Sequence, residues 1–375
     1  MTTIGLTLEP LDVLFFRDGR PFGAATSGAS ALPLPQTLAG AIWTGLLETH
    51  GCDFARLQSA LRERGDLAAA IASAGGPPWI AALGVRGPWL ARRPASGELE
   101  VLVPAPAVLH ADKSRHATAE RRLHALRPLP PGRLPGWRPP ESAPGLWPLW
   151  LRHPQPTQPA TGYLTPAGLQ AFLAAKPVPA NQLVGAEQLF DYDRRTGIGI
   201  DPDRLSAEES RIYGATFLAL KPEVSLYAEV VLPREVDRSA FPCIETLAFG
   251  GEGRRVRVHS LERPFPWPEQ APARRGEKPL VLLITPGLFR ESWKPAALNG
   301  RLVAAAVPGS VAVSGWDLAR GGPKPNRFAA QAGSVYFLDQ FPNNDLTLLP
   351  DSLADRPDDQ AQGWGCYLKG VWIDE

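Results

Sequence analysis

The order of hydrophobic patterns predicts an α+β protein of two fused ferredoxin-like (βαββαβ, RRM-like) domains, with a proline-rich insertion in the first. Three observations carry this. The series strand, helix, strand, strand, helix, strand is legible up to residue 220, and a similar series follows it. Proline, at 41 of 375 residues, crowds residues 128–159, where periodicity disappears and an extended segment is expected. No apolar run approaches the ~18 residues of a membrane-spanning helix. The expected boundaries are 1–221 for the first domain, with its basic insertion at about 105–160, and 222–375 for the second.

In the first half, Ile4, Leu6 and Leu8 alternate, and Leu11, Val13 and Phe15 alternate in the opposite phase, which one bent or bulged strand would explain. Leu38, Ile42, Leu46 and Leu47 follow helical spacing, with Gly51 at the C′ position. Asp53 and Asp66 each head a short helical pattern. Strands are expected at 80–85 and 99–103, separated by a Gly87–Pro88 turn. Thr165 and Pro166 open a helix that Pro177 stops, residues 191–203 are turn-rich, and 212–220 reads as a strand. In the second half, strands are expected at 225–232, 254–259, 279–285, 311–313 and 334–338, with a short helix at 239–249 and a weak helical turn at 288–293.

With 44% hydrophobic and 21% charged residues, the composition is that of a globular chain and excludes wholesale disorder. A formal net charge of +1 does not itself indicate a nucleic-acid partner, so clustering of basic residues has to decide. Cys52, Cys243 and Cys366 are far apart and form no CxxC pair, which fits a reducing cytoplasm and suggests neither a disulfide framework nor a zinc motif. Without a basic stretch leading into an apolar one at the N-terminus, an unprocessed, non-membrane protein is expected.

No phosphate-binding GxxxxGK[ST] loop, HExxH, GxSxG or Cys/His spacing occurs. The carboxylate pairs Asp191/Asp193 and Asp201/Asp203 fit turn formation better than a cation site, because further ligands are missing nearby. His110, His116, His124 and His259 lie in or beside basic segments without a partner at a defined spacing, so solvated or packed imidazoles explain them before acid–base catalysis does.

Glycine and arginine clusters are more informative. Residues 14–38 join a strand end anchored by Phe15 and Phe16 to a loop with Arg17, Asp18 and Arg20, then to a helix start at Pro35, Gln36 and Thr37. Helix N-termini present N–H groups and a partial positive charge to anions, although surface ion pairing explains the loop charges equally well. Residues 249–255 place Gly250, Gly251 and Gly253 before Arg254 and Arg255, so that backbone can approach a ribose-phosphate chain closely. Residues 315–327 combine Trp316, Arg320, Lys324 and Arg327 with glycines, a mixture suited to a single strand whose bases stack and whose phosphates need cations. An ordinary exposed turn explains this loop or the 249–255 loop taken alone, and three such loops together favour RNA.

These same stretches carry a family resemblance. LEPLDVLFFRDGRPF with LPLPQTLAGAI, DRRTGIGID, FGGEGRRV and GWDLARGGPKPNRFAAQAGSVYFL resemble, in order, the third-subunit family of the Cmr (type III-B) CRISPR effector, within the RAMP superfamily. The resemblance implies a non-catalytic, cofactor-free subunit that binds the 5′ repeat-derived tag of crRNA. It also implies a cap beside the large palm-domain subunit, contact with a backbone RAMP subunit, and only indirect contact with target RNA. Carried onto this chain, the RNA-facing candidates are Arg17, Arg20, Thr37, Gly250, Gly251, Arg254, Arg255, Lys324 and Arg327. Asp193 stands where the family pattern has Glu, which leaves the role of Arg195 open. Three other readings stay in play: a RAMP-fold, metal-independent endoribonuclease that processes repeat RNA, the capping subunit of another CRISPR subtype, and a generic RNA-binding module.

Overall fold

The computed structural model describes residues 2–16, 27–28, 32–94, 97–113, 122–141, 143–200, 207–268, 276–317, 322–339 and 352–374. It is a mixed α/β protein with several sheets and few helices. The chain forms two compact units, each discontinuous in sequence. The first comprises Met1–Ala91, Leu189–Pro264 and Ala312–Phe328, and the second Arg92–Gln188, Phe265–Val311 and Ala329–Glu375. The expected boundary after residue 221 therefore falls inside the first unit.

The first unit is built on strand Thr3–Pro10, whose Ile4, Leu6 and Leu8 are buried to 1% exposure or less. It pairs antiparallel with Val224–Val231 on one side and with Arg255–Ser260 on the other. Gly84–Arg92 lies beyond Val224–Val231, and Thr246–Ala248 beyond Arg255–Ser260. Residues 225–232 and 254–259, expected in a second domain, therefore belong to the first. Their alternating apolar faces match the unpaired edges of Thr3–Pro10 in both directions, and ladder pairing overrides sequence proximity.

Helix α1 (Pro35–Thr49) buries Leu38, Ile42 and Leu46, and Gly45 faces Leu247 closely. Helices α2 (Phe54–Arg64) and α3 (Leu67–Ser73) are capped as expected. The Asp53 carboxylate accepts from the N–H groups of Ala55 and Arg56 at 2.9 and 3.1 Å, and Asp66 from Ala68 and Ala69. A long hairpin, Phe190–Ile200 with Ala207–Leu220, completes this unit, and Ser27–Gly28 joins its edge in parallel.

In the second unit, Glu277–Leu283 is central, flanked by Val335–Leu338 and Tyr367–Ile373, with Leu302–Ala306 outermost. Val281, Leu283, Phe289, Leu298, Tyr336 and Leu353 form its core. Helix α4 (Pro166–Leu173), capped by Thr165, lies on Tyr367–Ile373, where Gly370 allows the approach: a Cβ there would meet the Leu173 carbonyl oxygen at 2.9 Å. Short strands Val178–Pro179, Arg122–Ala125, Leu109–Asp112 and Thr157–Pro159 make a separate small sheet. The proline-rich stretch lacks regular structure as expected, but it is a run of turns rather than an extended segment. Arg133, Trp137, Ala143 and Leu146 each donate a backbone N–H to the carbonyl three residues earlier, and among the described residues the pair Arg127–Pro128 and Leu149–Trp150 is its one ladder before Thr157–Pro159.

Five local expectations are corrected. Gly87–Pro88 is not the turn between two strands: residues Pro78–Ala82 form a 3₁₀ turn, and one strand, Gly84–Arg92, runs through Gly87 and Pro88 before Glu100–Pro104. The opening pattern is not one bent strand. Pro10 has no N–H to offer toward Val224–Val231, Leu11 is half exposed and makes a last ladder bond to the Arg255 carbonyl at 3.1 Å, and Leu14 then bridges to Leu218 instead. Residues 239–249 are not a helix, because Pro242 holds Phe241 extended. The chain gives one 3₁₀ turn, Arg238–Ala240, and then strand Thr246–Ala248. Residues 288–293 form bridges, Phe289 with Ser292 and Glu291 with Lys294, rather than a helical turn. Residues 190–200 are strand, not turns, and polar side chains exposed along it conceal the period of two.

Removing either aspartate cap, as Asp53→Ala or Asp66→Ala, is expected to cost about 1 kcal/mol. A lower urea midpoint than wild type is the readout, and the Asn variants should retain most of the stability.

Candidate nucleic-acid interface

The described part of the site lies in the first unit, where three separated stretches meet around two phenylalanines. After Pro10 the chain turns so that Leu14 exchanges both backbone hydrogen bonds with Leu218, at 2.8 and 2.7 Å. This places Phe15 against Phe217, with centroids 5.1 Å apart, and Phe16 against Phe249 at the same separation. The glycine-rich loop then closes over them. Gly251 N–H donates to the Phe15 carbonyl at 2.8 Å, and Gly250 adopts φ +92°. A Cβ on Gly250 would lie 2.5 Å from the Phe15 carbonyl oxygen, so both the conformation and the space demand glycine.

Two guanidinium groups share the Phe217 ring, with the Cζ atoms of Arg195 and Arg254 each 4.9 Å from its centroid. Their like charges are balanced locally: Arg254 pairs with Asp12, and Arg195 with Asp193 at 2.7 Å. The Asp12 carboxyl is held below its usual value of 3.8, chiefly by a hydrogen bond from the Val13 backbone N–H, then by the positive charges of Arg254 and Arg195. Arg254 is largely covered, at 20% side-chain exposure, and is positioned within the protein. Arg255, the next residue, is exposed at the start of strand Arg255–Ser260 and donates to Thr246 Oγ1 at 2.7 Å.

The final loop meets the start of α1. Gln36 Nε2 donates to the Ser314 carbonyl at 2.5 Å, and Lys324 N–H donates to the Gly315 carbonyl at 2.7 Å. Leu34 supplies no side-chain cap, and Thr37 N–H turns back to the Leu34 carbonyl at 2.9 Å. Lys324 is exposed, whereas Arg327 is half-buried at the start of strand Arg327–Ala330.

Of the sequence-predicted site residues, Gly250, Gly251, Arg254 and Arg255 thus form one cluster, and Thr37 and Lys324 lie on the two segments that Gln36 and Ser314 tie together. Arg17 and Arg20 lie outside the described residues. Sequence reasoning missed Asp12 and Phe217. Asp12 and Arg254 are 242 positions apart, Phe217 reads as ordinary core, and neither carries a local motif. The carboxylates weighed for a cation are engaged otherwise, Asp191 with Lys221 and Asp193 with Arg195, while Asp201 and Asp203 lie outside the described residues. Among the histidines weighed for acid–base chemistry, His259 lies 3.5 Å from Glu9 and His110 meets Thr157 Oγ1 at 3.2 Å. Burial, and then the nearby His124, push the His110 imidazole below its ordinary 6.5. His116 lies outside the described residues.

The fold is that of a subunit of type III CRISPR effector assemblies. A chain of the Type III-B Cmr-beta bound to cognate target RNA and AMPPnP, solved by cryo-EM, superposes with a TM-score of 0.51 at 15% identity, covering 89% of this chain and 86% of that one. A second Cmr-beta structure, bound to cognate target RNA, gives 0.48 at 16% identity over 89% and 86% of the two chains. The Csm3-Csm4 subcomplex of the type III-A CRISPR-Cas interference complex gives 0.41 at 12% identity over 90% and 92%. The protein belongs to the CRISPR-associated protein family Cas_Cmr3, whose family model matches residues 6–372. No curated protein sequence matches it. No helix among the described residues is long and apolar enough to cross a membrane.

Two outcomes test this geometry. Gly250→Ala should destabilise the first unit by more than about 2 kcal/mol, since it adds a backbone clash to the left-handed penalty, whereas Gly253→Ala, in open space at φ +64°, should cost only about 1–2 kcal/mol. The stabilising effect of Asp12 over Asp12→Asn should be constant above the usual carboxylate pKa and vanish as pH falls through the depressed one. That is the sign for a group whose folded pKa is lowered, and urea midpoints measured against pH would read it.

Proposed function

We propose that this protein is the non-catalytic crRNA-binding subunit of a type III-B effector, holding the 5′ repeat-derived tag and capping the complex beside the large palm-domain subunit. The family match across residues 6–372 carries this reading. The strand order supports the double ferredoxin-like part of it. Numbering Thr3–Pro10, Gly84–Arg92, Val224–Val231 and Arg255–Ser260 as strands one to four of the first unit gives the spatial order 2-3-1-4. Glu277–Leu283, Leu302–Ala306, Val335–Leu338 and Tyr367–Ile373 of the second unit give the same order. That is the order of an antiparallel βαββαβ sheet, with the second crossover of the first unit reduced to a 3₁₀ turn and an extra edge strand.

The electrostatics favour RNA as the ligand of the first unit's loops. Arg255 and Arg257 project from the exposed face of strand Arg255–Ser260, and Lys324 from a glycine-rich loop, while the overall charge stays near neutral, leaving the remaining surface for protein subunits. Arg254 acts differently: through Asp12 and Phe217 it shapes the loop that presents Arg255. A backbone RAMP subunit is the second protein partner in this reading, guide pairing supplies sequence specificity elsewhere, and target RNA is met only through the assembled complex.

The test is affinity purification of the tagged full chain from its own cells, with sequencing of bound RNA and identification of co-purifying proteins. Short RNAs sharing one repeat-derived 5′ end, recovered with a large subunit and backbone subunits, are expected. Recovery of the protein alone, or cleavage of repeat RNA by the purified protein in EDTA, would overturn the reading. In reconstituted complexes, Arg255→Ala and Lys324→Ala should each weaken tag binding and reduce the salt slope by about 1 per lost phosphate contact. An unchanged slope in both variants would assign these loops to protein contacts.

A further inference from the structure

The small sheet of the second unit brings together three side chains that no sequence motif links. Asp112 ends strand Leu109–Asp112, His124 sits in the neighbouring Arg122–Ala125, and His153 lies in the loop before Thr157–Pro159. The register explains the meeting. His110 stands opposite His124, and Asp112, two positions on from His110, lies on the same face diagonal to His124; Thr157, opposite Asp112, follows the loop that carries His153. Asp112 Oδ1 lies 3.3 Å from His124 Nε2 and 3.7 Å from His153 Nδ1, and one ligand atom from each residue falls within a 4.8 Å cluster. The two imidazole rings are 4.0 Å apart, centroid to centroid.

Two further observations point to a ligand. Asp112 Oδ1 and His124 Nε2 are both buried, and neither makes a hydrogen bond, although they are neighbours. Buried polar atoms left in this state are costly, and a cation between them would satisfy both. The separations also suit a metal. A tetrahedral zinc with bonds of ~2.0–2.2 Å spaces its ligand atoms about 3.3–3.6 Å apart, and two imidazoles with one carboxylate leave a fourth position for water. The three side chains are 19–26% exposed, so an ion can reach them. His153 Nδ1 also lies 3.0 Å from the Gln155 carbonyl and accepts the Gln155 N–H at 3.2 Å. Ligation at Nδ1 exchanges that bond, while ligation at Nε2 keeps it.

We propose that Asp112, His124 and His153 bind a divalent transition-metal ion of the zinc type, which clips three segments of the insertion together. Its role is structural. These strands have two to four residues each and little apolar area of their own, so a cross-link that closes the intervening loops stabilises the folded arrangement.

The experiment uses the full chain, stripped with chelator and titrated with Zn²⁺ against a chromophoric competitor, with bound metal counted by mass spectrometry and Mg²⁺ as the oxygen-loving control. One Zn²⁺ per chain is expected, with no competition from Mg²⁺, a higher melting temperature on loading, and a Co²⁺ visible band characteristic of low-coordinate N/O ligation. Asp112→Asn and His153→Ala should each weaken binding at least about tenfold and abolish the thermal shift. Asp112→Asn preserves side-chain volume, so it remains informative if His153→Ala fails to fold. Cys243→Ser, which removes the one exposed cysteine, should leave binding unchanged. Absence of stoichiometric zinc, undiminished binding in Asp112→Asn, or loss of binding in Cys243→Ser would each overturn the site.

Discussion

The first unit depends on the ladder made by Thr3–Pro10. This strand pairs on both sides, with Val224–Val231 and Arg255–Ser260, and it thereby recruits into one sheet segments that are more than two hundred positions away in the chain. Its end is as consequential as its middle. Pro10 cannot donate toward Val224–Val231, Leu11 N–H makes the last bond of the other ladder, to the Arg255 carbonyl at 3.1 Å, and the chain is then captured by Leu218; that transfer sets Phe15 and Phe16 beneath the glycine-rich loop. The few residues from Pro10 to Leu14 thus separate the part of the sequence that builds the sheet from the part that builds the candidate interface.

Each cation of that interface has a different physical status, although in sequence they look alike. Arg254 and Arg255 are adjacent in the chain, but strand alternation sends them to opposite environments. The first reaches Asp12 and the Phe217 ring, and the second stays exposed beside Thr246. An exposed arginine keeps its charge available to a polyanion. One already paired and stacked has its geometry fixed and its charge largely answered, and it braces the loop it belongs to. Counting basic residues therefore overstates the charge presented to a ligand.

The legible parts of the fold were those in which local chemistry decides. Asp53, Asp66 and Thr165 announced helix starts through capping, and Ile4, Leu6 and Leu8 announced a buried strand through their period. Legibility failed where a decision was long-range. The hairpin Phe190–Ile200 with Ala207–Leu220 has polar side chains outward along much of its first strand, so its pairing leaves no alternating trace. Segments 225–232 and 254–259 carried correct strand patterns, but nothing in them says which edge they will join. The glycine-rich loop was legible as a loop because φ +92° at Gly250 has few substitutes, whereas its partners Asp12 and Phe217 were not.

The insertion shows the same limit from the other side. Its histidines looked dispensable because metal motifs are recognised by close spacing, typically two to five residues within a pair, and His124 and His153 have no such spacing. Antiparallel pairing supplies what spacing does not. Once Leu109–Asp112 lies between Arg122–Ala125 and Thr157–Pro159, a carboxylate and an imidazole from different strands share a face, and a second imidazole arrives with the chain that enters the outer strand. A proline-rich segment forms few ladder hydrogen bonds, so a cross-link adds to what fixes its course. Two facing ligand atoms, Asp112 Oδ1 and His124 Nε2, that are buried without a hydrogen bond are therefore a better indicator of a cross-linking ligand here than they would be inside a large core, where packing alone holds the backbone in place.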